Sequence, residues 1–161
     1  MKVAVACDHR GYEAKRRLLP VLKRLGHEVK DFGCDSPAAC DYPDFAAPAA
    51  KAVAENRCDV GVMLDGSGIG VSIVANKIDG VRAVNAHDAS EAEMARRHND
   101  ANVVTLSGVR LAPAQADRIV ATFLRTGFEG GRHARRVGQI ADVERGRDSV
   151  VPSGSAAATG A

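Results

Sequence analysis

Tryptophan is absent from the 161-residue chain, and two tyrosines with four phenylalanines bring the aromatic share to only 4%. That is too few rings for a base-stacking platform or an aromatic carbohydrate shelf. Net charge is nearly absent as well: 22 Lys and Arg against 20 Asp and Glu leave a formal +2. No global field is available to hold nucleic acid or a membrane surface, so neither is expected as a partner. The four cysteines, Cys7, Cys34, Cys40 and Cys58, form no CxxC pair. The amino terminus lacks the basic-then-apolar layout of a secretory leader, so a reducing, cytoplasmic setting is expected. A zinc site from Cys34, Cys40 and His27 would lack the close ligand pairs usual in structural zinc, and unpaired thiols are the better reading. No apolar run approaches the ~20 residues that cross a bilayer.

What is present is a 45% hydrophobic, 26% charged composition, that of one soluble globular domain. Short apolar runs alternate with longer amphipathic ones. Strands are expected at Lys2 to Cys7, Glu28 to Phe32, Asp59 to Leu64, Val81 to Asn85 and Val103 to Ser107. Helices are expected at Gly11 to Leu25, kinked at Pro20, then at Asp44 to Asn56, Val71 to Lys77, Ala89 to His98 and Pro113 to Arg125. In the first helix Leu18, Leu19, Leu22 and Leu25 share a face and Lys15, Arg16, Arg17, Lys23 and Arg24 fall largely on the others. An arginine-rich last helix runs to about Arg147, making residues 1–147 the domain. Residues 148–161, rich in Ala, Ser and Gly, read as a disordered tail without part in the chemistry.

Strands joined through helices of roughly ten to fifteen residues imply right-handed crossovers and a parallel sheet. The fold class is therefore α/β: a doubly wound, Rossmann-like five-stranded parallel sheet in a three-layer αβα sandwich. Ligands of such sheets bind beyond the carboxyl ends of the strands, where strand order reverses. Asp8-His9 follows the first strand and Asp65-Gly66-Ser67-Gly68-Ile69-Gly70 the third, so neighbouring strands there would bring both loops to one crevice.

The glycine loop sits between strand and helix, where backbone N–H groups can meet an anion or a developing oxyanion. It lacks the Lys-Ser/Thr ending of the nucleotide loop and the full GxGxxG spacing, which disfavours ATP and NAD. As a plain strand-to-helix turn it would need no ligand at all. Asp65 can take a proton from a carbon beside a carbonyl, as aldose–ketose isomerisation requires, or can simply cap the next turn. His98 ends a helix, where it can open a sugar ring near neutral pH or merely meet the helix dipole. Arg132 and Arg136 lie one helical turn apart, a spacing that suits one phosphate and also suits an ordinary solvated face.

Taken together, these residues resemble the ribose-5-phosphate isomerase B family, which includes the galactose-6-phosphate isomerase subunits. The resemblance is collinear through about Arg147: Cys7-Asp8-His9 with Gly11, Asp41-Tyr42-Pro43, Gly66 to Gly70, Ala75-Asn76-Lys77, Arg82-Ala83, Arg97 to Asn102 and Glu129 to His133. It implies a metal-free, cofactor-free isomerase working through a cis-enediolate, with ribose 5-phosphate and ribulose 5-phosphate as the commonest pair. Asp8, His9 and Tyr42 would contact the sugar, Gly66, Gly68, Ile69 and Gly70 would form the anion hole, and Ser67 would bond the substrate. His98 would open the ring, Asn99 would bind a hydroxyl, and Arg132 and Arg136, with Arg110, would hold the phosphate. A homodimer or tetramer with active sites shared between subunits is implied too.

One departure stands out. Members commonly carry a cysteine base just before the glycine loop or a glutamate base just after it; here those positions are Asp65 and Val71. Cys58 lies about 20 Å away at the far end of the strand and cannot substitute. Asp65 is thus the expected base. The change leaves two alternatives: a different substrate, such as a tetrose 4-phosphate or hexose 6-phosphate, or a weakened protein that only binds phosphosugars. A flavodoxin-like nucleotide-binding module has less support, because no aromatic flavin shelf and no ribose-binding acid at fingerprint spacing are present.

Overall fold

The computed structural model describes residues 1–146; the tail expected at 148–161 lies outside the described residues. Five strands and six helices follow in the order β1 (Lys2–Cys7), α1 (Tyr12–Arg24), β2 (Glu28–Asp31), α2 (Pro43–Ala54), β3 (Val60–Asp65), α3 (Ile69–Ala75), β4 (Ala83–Asn85), α4 (Ala89–Asn99), β5 (Val103–Ser107), α5 (Pro113–Arg125) and α6 (Arg132–Glu144). The expected elements are all there; the first ten have ends within two residues of expectation, and the last helix, expected to run to about Arg147, ends at Glu144. α1 runs as a single helix through Pro20.

All pairings are parallel, and the sheet order is β2-β1-β3-β5-β4. The reversal of winding falls between β1 and β3, which pair in register from Val3 with Val60 to Cys7 with Leu64. Strand alternation sends Val3, Val5 and Cys7 to one face, where they join Leu18, Leu22, Ile119 and Phe123 from α1 and α5. Ala4 and Ala6 face the other side with Met63 and the alanines of α2. Small residues on both partners let α2 approach the sheet closely.

Two residues in and just after α1 differ from its amphipathic reading. Lys15 is 3% exposed, with its ammonium 2.8 Å from Asp31 and 2.8 Å from the Cys34 carbonyl. An amphipathic stem can be buried when its charged head finds partners, which the β2 end supplies. Leu25, at the end of the helix, is 49% exposed. All four cysteines are free thiols.

Several of the collinear motif residues hold the fold together. Asn76 accepts from the Ala83 N–H and donates to the Ala83 carbonyl, at 2.8 and 2.9 Å, pinning the short edge strand β4. Asn102 does the same for the preceding turn through the Arg82 N–H and the Gly80 carbonyl. Arg82 ties the end of α4 through the Asn99 and Asp100 carbonyls and the Asp100 carboxylate.

Candidate active site

At the carboxyl ends of β1, β3 and β5 lies a cleft of about 560 Å³ lined by Asp8, Arg10, Tyr42, Asp65, Gly66, Ser67, Ile69, Gly70, Ile73, Val109 and Arg110. It occupies the crevice at the winding reversal, where an open α/β sheet presents its loop ends. Three turns build it. After β1, the buried Asp8 carboxylate accepts from the N–H groups of Arg10 (2.9 Å) and Gly11 (3.0 Å). Gly11 crosses so near the end of β3 that a Cβ there would meet the Leu64 carbonyl oxygen at 2.5 Å. After β5, Ser107 donates to the Gly66 carbonyl at 2.7 Å and accepts from the Arg110 N–H at 2.9 Å.

The glycine loop after β3 is organised around Asp65, which is 4% exposed. Its Oδ1 accepts from the N–H groups of Ser67, at 2.7 Å, and Gly68; its Oδ2 accepts from the Val71 N–H at 3.0 Å. Three of the roughly four in-plane acceptor positions of a carboxylate are therefore taken by backbone, leaving one on Oδ2. That oxygen points toward Gly70, where an added Cβ would stand 3.0 Å from it and 2.8 Å from the Tyr42 ring. Gly70 thus lets Tyr42 and Asp65 share the cleft. Gly68 adopts φ +82°, and a Cβ there would strike the Asn85 side chain, so glycine is required on both counts. The N–H of Ile69 bonds the Ser67 hydroxyl. The N–H groups of Gly66 and Gly70 have no acceptor among the described residues.

His9 stands beside this cleft rather than in its lining, its Nδ1 3.1 Å from the Cys40 carbonyl oxygen. The remaining expected residues lie elsewhere in the chain. α4 starts beyond the carboxyl end of β4 and descends roughly 16 Å over its 11 residues, so His98 and Asn99 reach the amino edge of the sheet, opposite the glycine loop. There His98 stacks on His133, with ring centroids 4.4 Å apart and planes at 11°. Glu129 lies 3.8 Å from the His98 Nε2 and is held by Arg97 at 3.0 Å. Arg132 meets His133 at 3.5 Å, and Arg136 follows one turn later on the exposed side of α6. Burial, then the charges of His98 and Arg132, push the pKa of His133 below the usual histidine value of 6.5.

The expected site residues therefore form two groups in one chain. Asp8, Tyr42, Asp65 to Gly70 and Arg110 converge on the cleft, while His98, Asn99, Arg132 and Arg136 belong to a basic cluster at the opposite edge. His98, Glu129 and His133 bring one candidate metal-ligating atom each within 4.8 Å of one another. Stacked imidazoles direct their in-plane lone pairs along parallel lines, so one ion cannot meet both rings at ~2.0–2.1 Å as they stand. Arg97 and Arg132 also oppose a cation there. Cys34, Cys40 and His27 do not converge among the described residues. Two residues escaped the sequence reading: Ser107, whose organising role depends on β5 lying beside β3, and Arg10, whose position at the end of β1 was a usable signal.

Comparison with known proteins gives consistent results. A family model described as Ribose/Galactose Isomerase matches residues 3–140. Ribose-5-phosphate isomerase B of Escherichia coli (strain K12) is 39% identical over 147 residues, covering 91% of this chain and 99% of that protein. Among solved structures, ribose-5-phosphate isomerase B of Clostridium thermocellum superposes with a TM-score of 0.89 at 43% identity, over 91% of this chain and 99% of that one. The Mycoplasma genitalium enzyme, solved with bound ribulose-5-phosphate, gives 0.86 at 38% identity, over 89% and 96%.

Proposed function

The chain belongs to the ribose/galactose isomerase family and is a sugar-phosphate isomerase, and from that premise we propose that it interconverts ribose 5-phosphate and ribulose 5-phosphate through a cis-enediolate with Asp65 as base. The observation that carries this reading is the cleft itself, where one unoccupied lone-pair position on the Asp65 Oδ2 faces the space shared with Tyr42, Ser67 and Arg110. Oδ2 takes the proton from the carbon next to the carbonyl. The C–H electron pair becomes the C=C bond of the enediolate, and the carbonyl oxygen takes the negative charge. The proton of the adjacent hydroxyl passes to that charged oxygen, and returning the carbon-bound proton from Asp65 to the former carbonyl carbon leaves the new carbonyl on its neighbour, completing the exchange of aldehyde and ketone. The Gly66 and Gly70 N–H groups are the loop donors free to meet that oxygen, since Ser67, Gly68 and Val71 donate to Asp65.

Ring opening falls to His98, hydroxyl binding to Asn99 and the phosphate to Arg132 and Arg136, all supplied across an interface by a second copy of the chain in a homodimer or tetramer, to meet Arg110 in the cleft's own chain. Two features support sharing. One chain holds His98, Asn99, Arg132 and Arg136 at the sheet edge opposite the cleft. The cleft rim also carries Ile69, Ile73 and Val109, each more than half exposed at 51%, 57% and 56%, an apolar border suited to burial by another protein surface.

A second reading, a phosphosugar-binding protein without turnover, draws on the same carboxylate, because three backbone N–H groups already occupy most of its acceptor capacity. Incubation with phosphorylated tetroses, pentoses and hexoses in deuterium oxide separates the readings. Deuterium entering the carbon next to the carbonyl, fastest with the pentose, is the expected result. A protein that is thermally stabilised by these sugars but exchanges nothing is a binder. Fastest exchange with a tetrose or hexose reassigns the substrate.

A further inference from the structure

We infer that Arg10 is a further catalytic residue of this cleft, its guanidinium donating to the substrate oxygen that becomes charged in the enediolate; this rests on the isomerase reading above. The Arg10 side chain lies across Gly66, where an added Cβ would meet its Nε at 2.8 Å and its Cδ at 3.1 Å. Gly66 immediately follows Asp65, so the cation stands over the loop that bears the base. Its backbone is fixed on two sides: the N–H bonds the Asp8 carboxylate at 2.9 Å, and the carbonyl packs against Gly108, where a Cβ would come within 2.8 Å. Such a turn aims the side chain without cost at the moment of reaction.

Charge provides the functional argument. Arg10 has no carboxylate within 4.0 Å among the described residues, although Asp8 and Asp65 line the same cleft. Before proton transfer the negative charge sits on Asp65, stabilised by three backbone donors. After transfer it sits on the substrate oxygen, and those donors remain turned to the now neutral acid. A guanidinium that pairs with neither carboxylate is free to stabilise the second arrangement more than the first, and only such a difference accelerates the step.

Arg10→Gln and Arg10→Lys test the inference, with wild-type exchange measured first. The expected result is a fall in kcat of roughly 100-fold for Gln, comparable to losing one oxyanion donor, with KM little changed and partial recovery in Lys. A phosphorylated hydroxamate that mimics the enediolate should lose affinity by a similar factor, while inhibition by inorganic phosphate stays constant. Loss of phosphate inhibition together with a raised KM and a retained kcat would make Arg10 a phosphate ligand and overturn the inference. Unchanged kinetics in both variants would overturn it as well, leaving the isomerase reading intact. A wild-type protein that exchanges no proton overturns both. Arg10 is exposed, so unchanged melting temperatures are expected and separate chemistry from misfolding.

Discussion

Replacing Asp65 by Asn separates the two tasks assigned to this side chain. The amide keeps the shape but presents one acceptor and one donor. If its oxygen stays with the Ser67 and Gly68 N–H groups, both bonds fall from charge-assisted to neutral, at about 1 kcal/mol each. Its NH2 then faces the Val71 N–H, which held Oδ2 at 3.0 Å, and an orphaned buried donor costs about 1–3 kcal/mol. The sum is about 3–5 kcal/mol, or a melting temperature lowered by roughly 6–20 °C for a domain of this size. Turnover should fall at the same time by about 10²–10⁴-fold, the usual contribution of a positioned base. Calorimetry and the deuterium-exchange assay read the two effects on one sample. A melting temperature within about 2 °C of wild type would refute the argument that the carboxylate clamps the loop. Full turnover in a destabilised Asn variant would refute its role as base. Asp65→Cys is the complementary case: the clamp is lost, the melting temperature drops similarly, and a thiol is restored at the base position.

Mixing Asp65→Asn with His98→Asn protein should regain about a quarter of wild-type activity if random dimers exchange and each hybrid contains one intact shared site; no recovery despite verified subunit exchange would place each site within one chain. Gly70→Ala inserts a methyl 2.8 Å from the Tyr42 ring and 3.0 Å from Asp65 Oδ2, so activity should fall while Gly127→Ala, where a Cβ meets nothing within 4 Å, leaves it unchanged. Asp31→Ala strands the buried Lys15 ammonium and should destabilise the fold by about 2–3 kcal/mol, below the ~3–5 of a fully buried pair because the Asp31 side chain is 38% exposed; Lys15→Met should cost less, and denaturant titration ranks the two. His133 has a native pKa below its unfolded value near 6.5, so the unfolded chain takes up the proton first and stability should decline as pH falls below about 6.5. Urea melts at pH 7.5 and 5.5 should show a smaller decline in His133→Gln.

Local chemistry alone determined much of this protein. The Val-Ala-Val-Ala run of β1, the proline at the first turn of α5 and the helical spacing of α4 each specify their element within a few residues. Regular alternation of these signals implies the parallel doubly wound sheet, because crossovers have one hand and helices must cover both faces. Asp65 beside its glycines was legible as a candidate site for the same reason, being the end of a strand in such a sheet. What the sequence left open was whether Asp65 caps its turn or performs chemistry; in the fold its carboxylate accepts from the N–H groups of Ser67, Gly68 and Val71 and keeps one remaining acceptor position.

Only the tertiary structure decided which of the distant residues meet. That β1 lies beside β3, and β3 beside β5, brings Asp8, Arg10, Ser107 and Arg110 around the glycine loop from positions separated by up to 102 residues of chain. The same arithmetic of strand and helix direction carries His98 and the Arg132–Arg136 pair to the opposite edge, although the sequence groups them with the site. Lys15 is buried for a related reason: its partner Asp31 arrives from the next strand, and no helical periodicity in α1 encodes it. Short-range spacing fixes what each segment becomes, since propensity and amphipathic pattern act within a few turns. Charge partners and site membership depend on contacts between segments, and those exist only once the sheet order does.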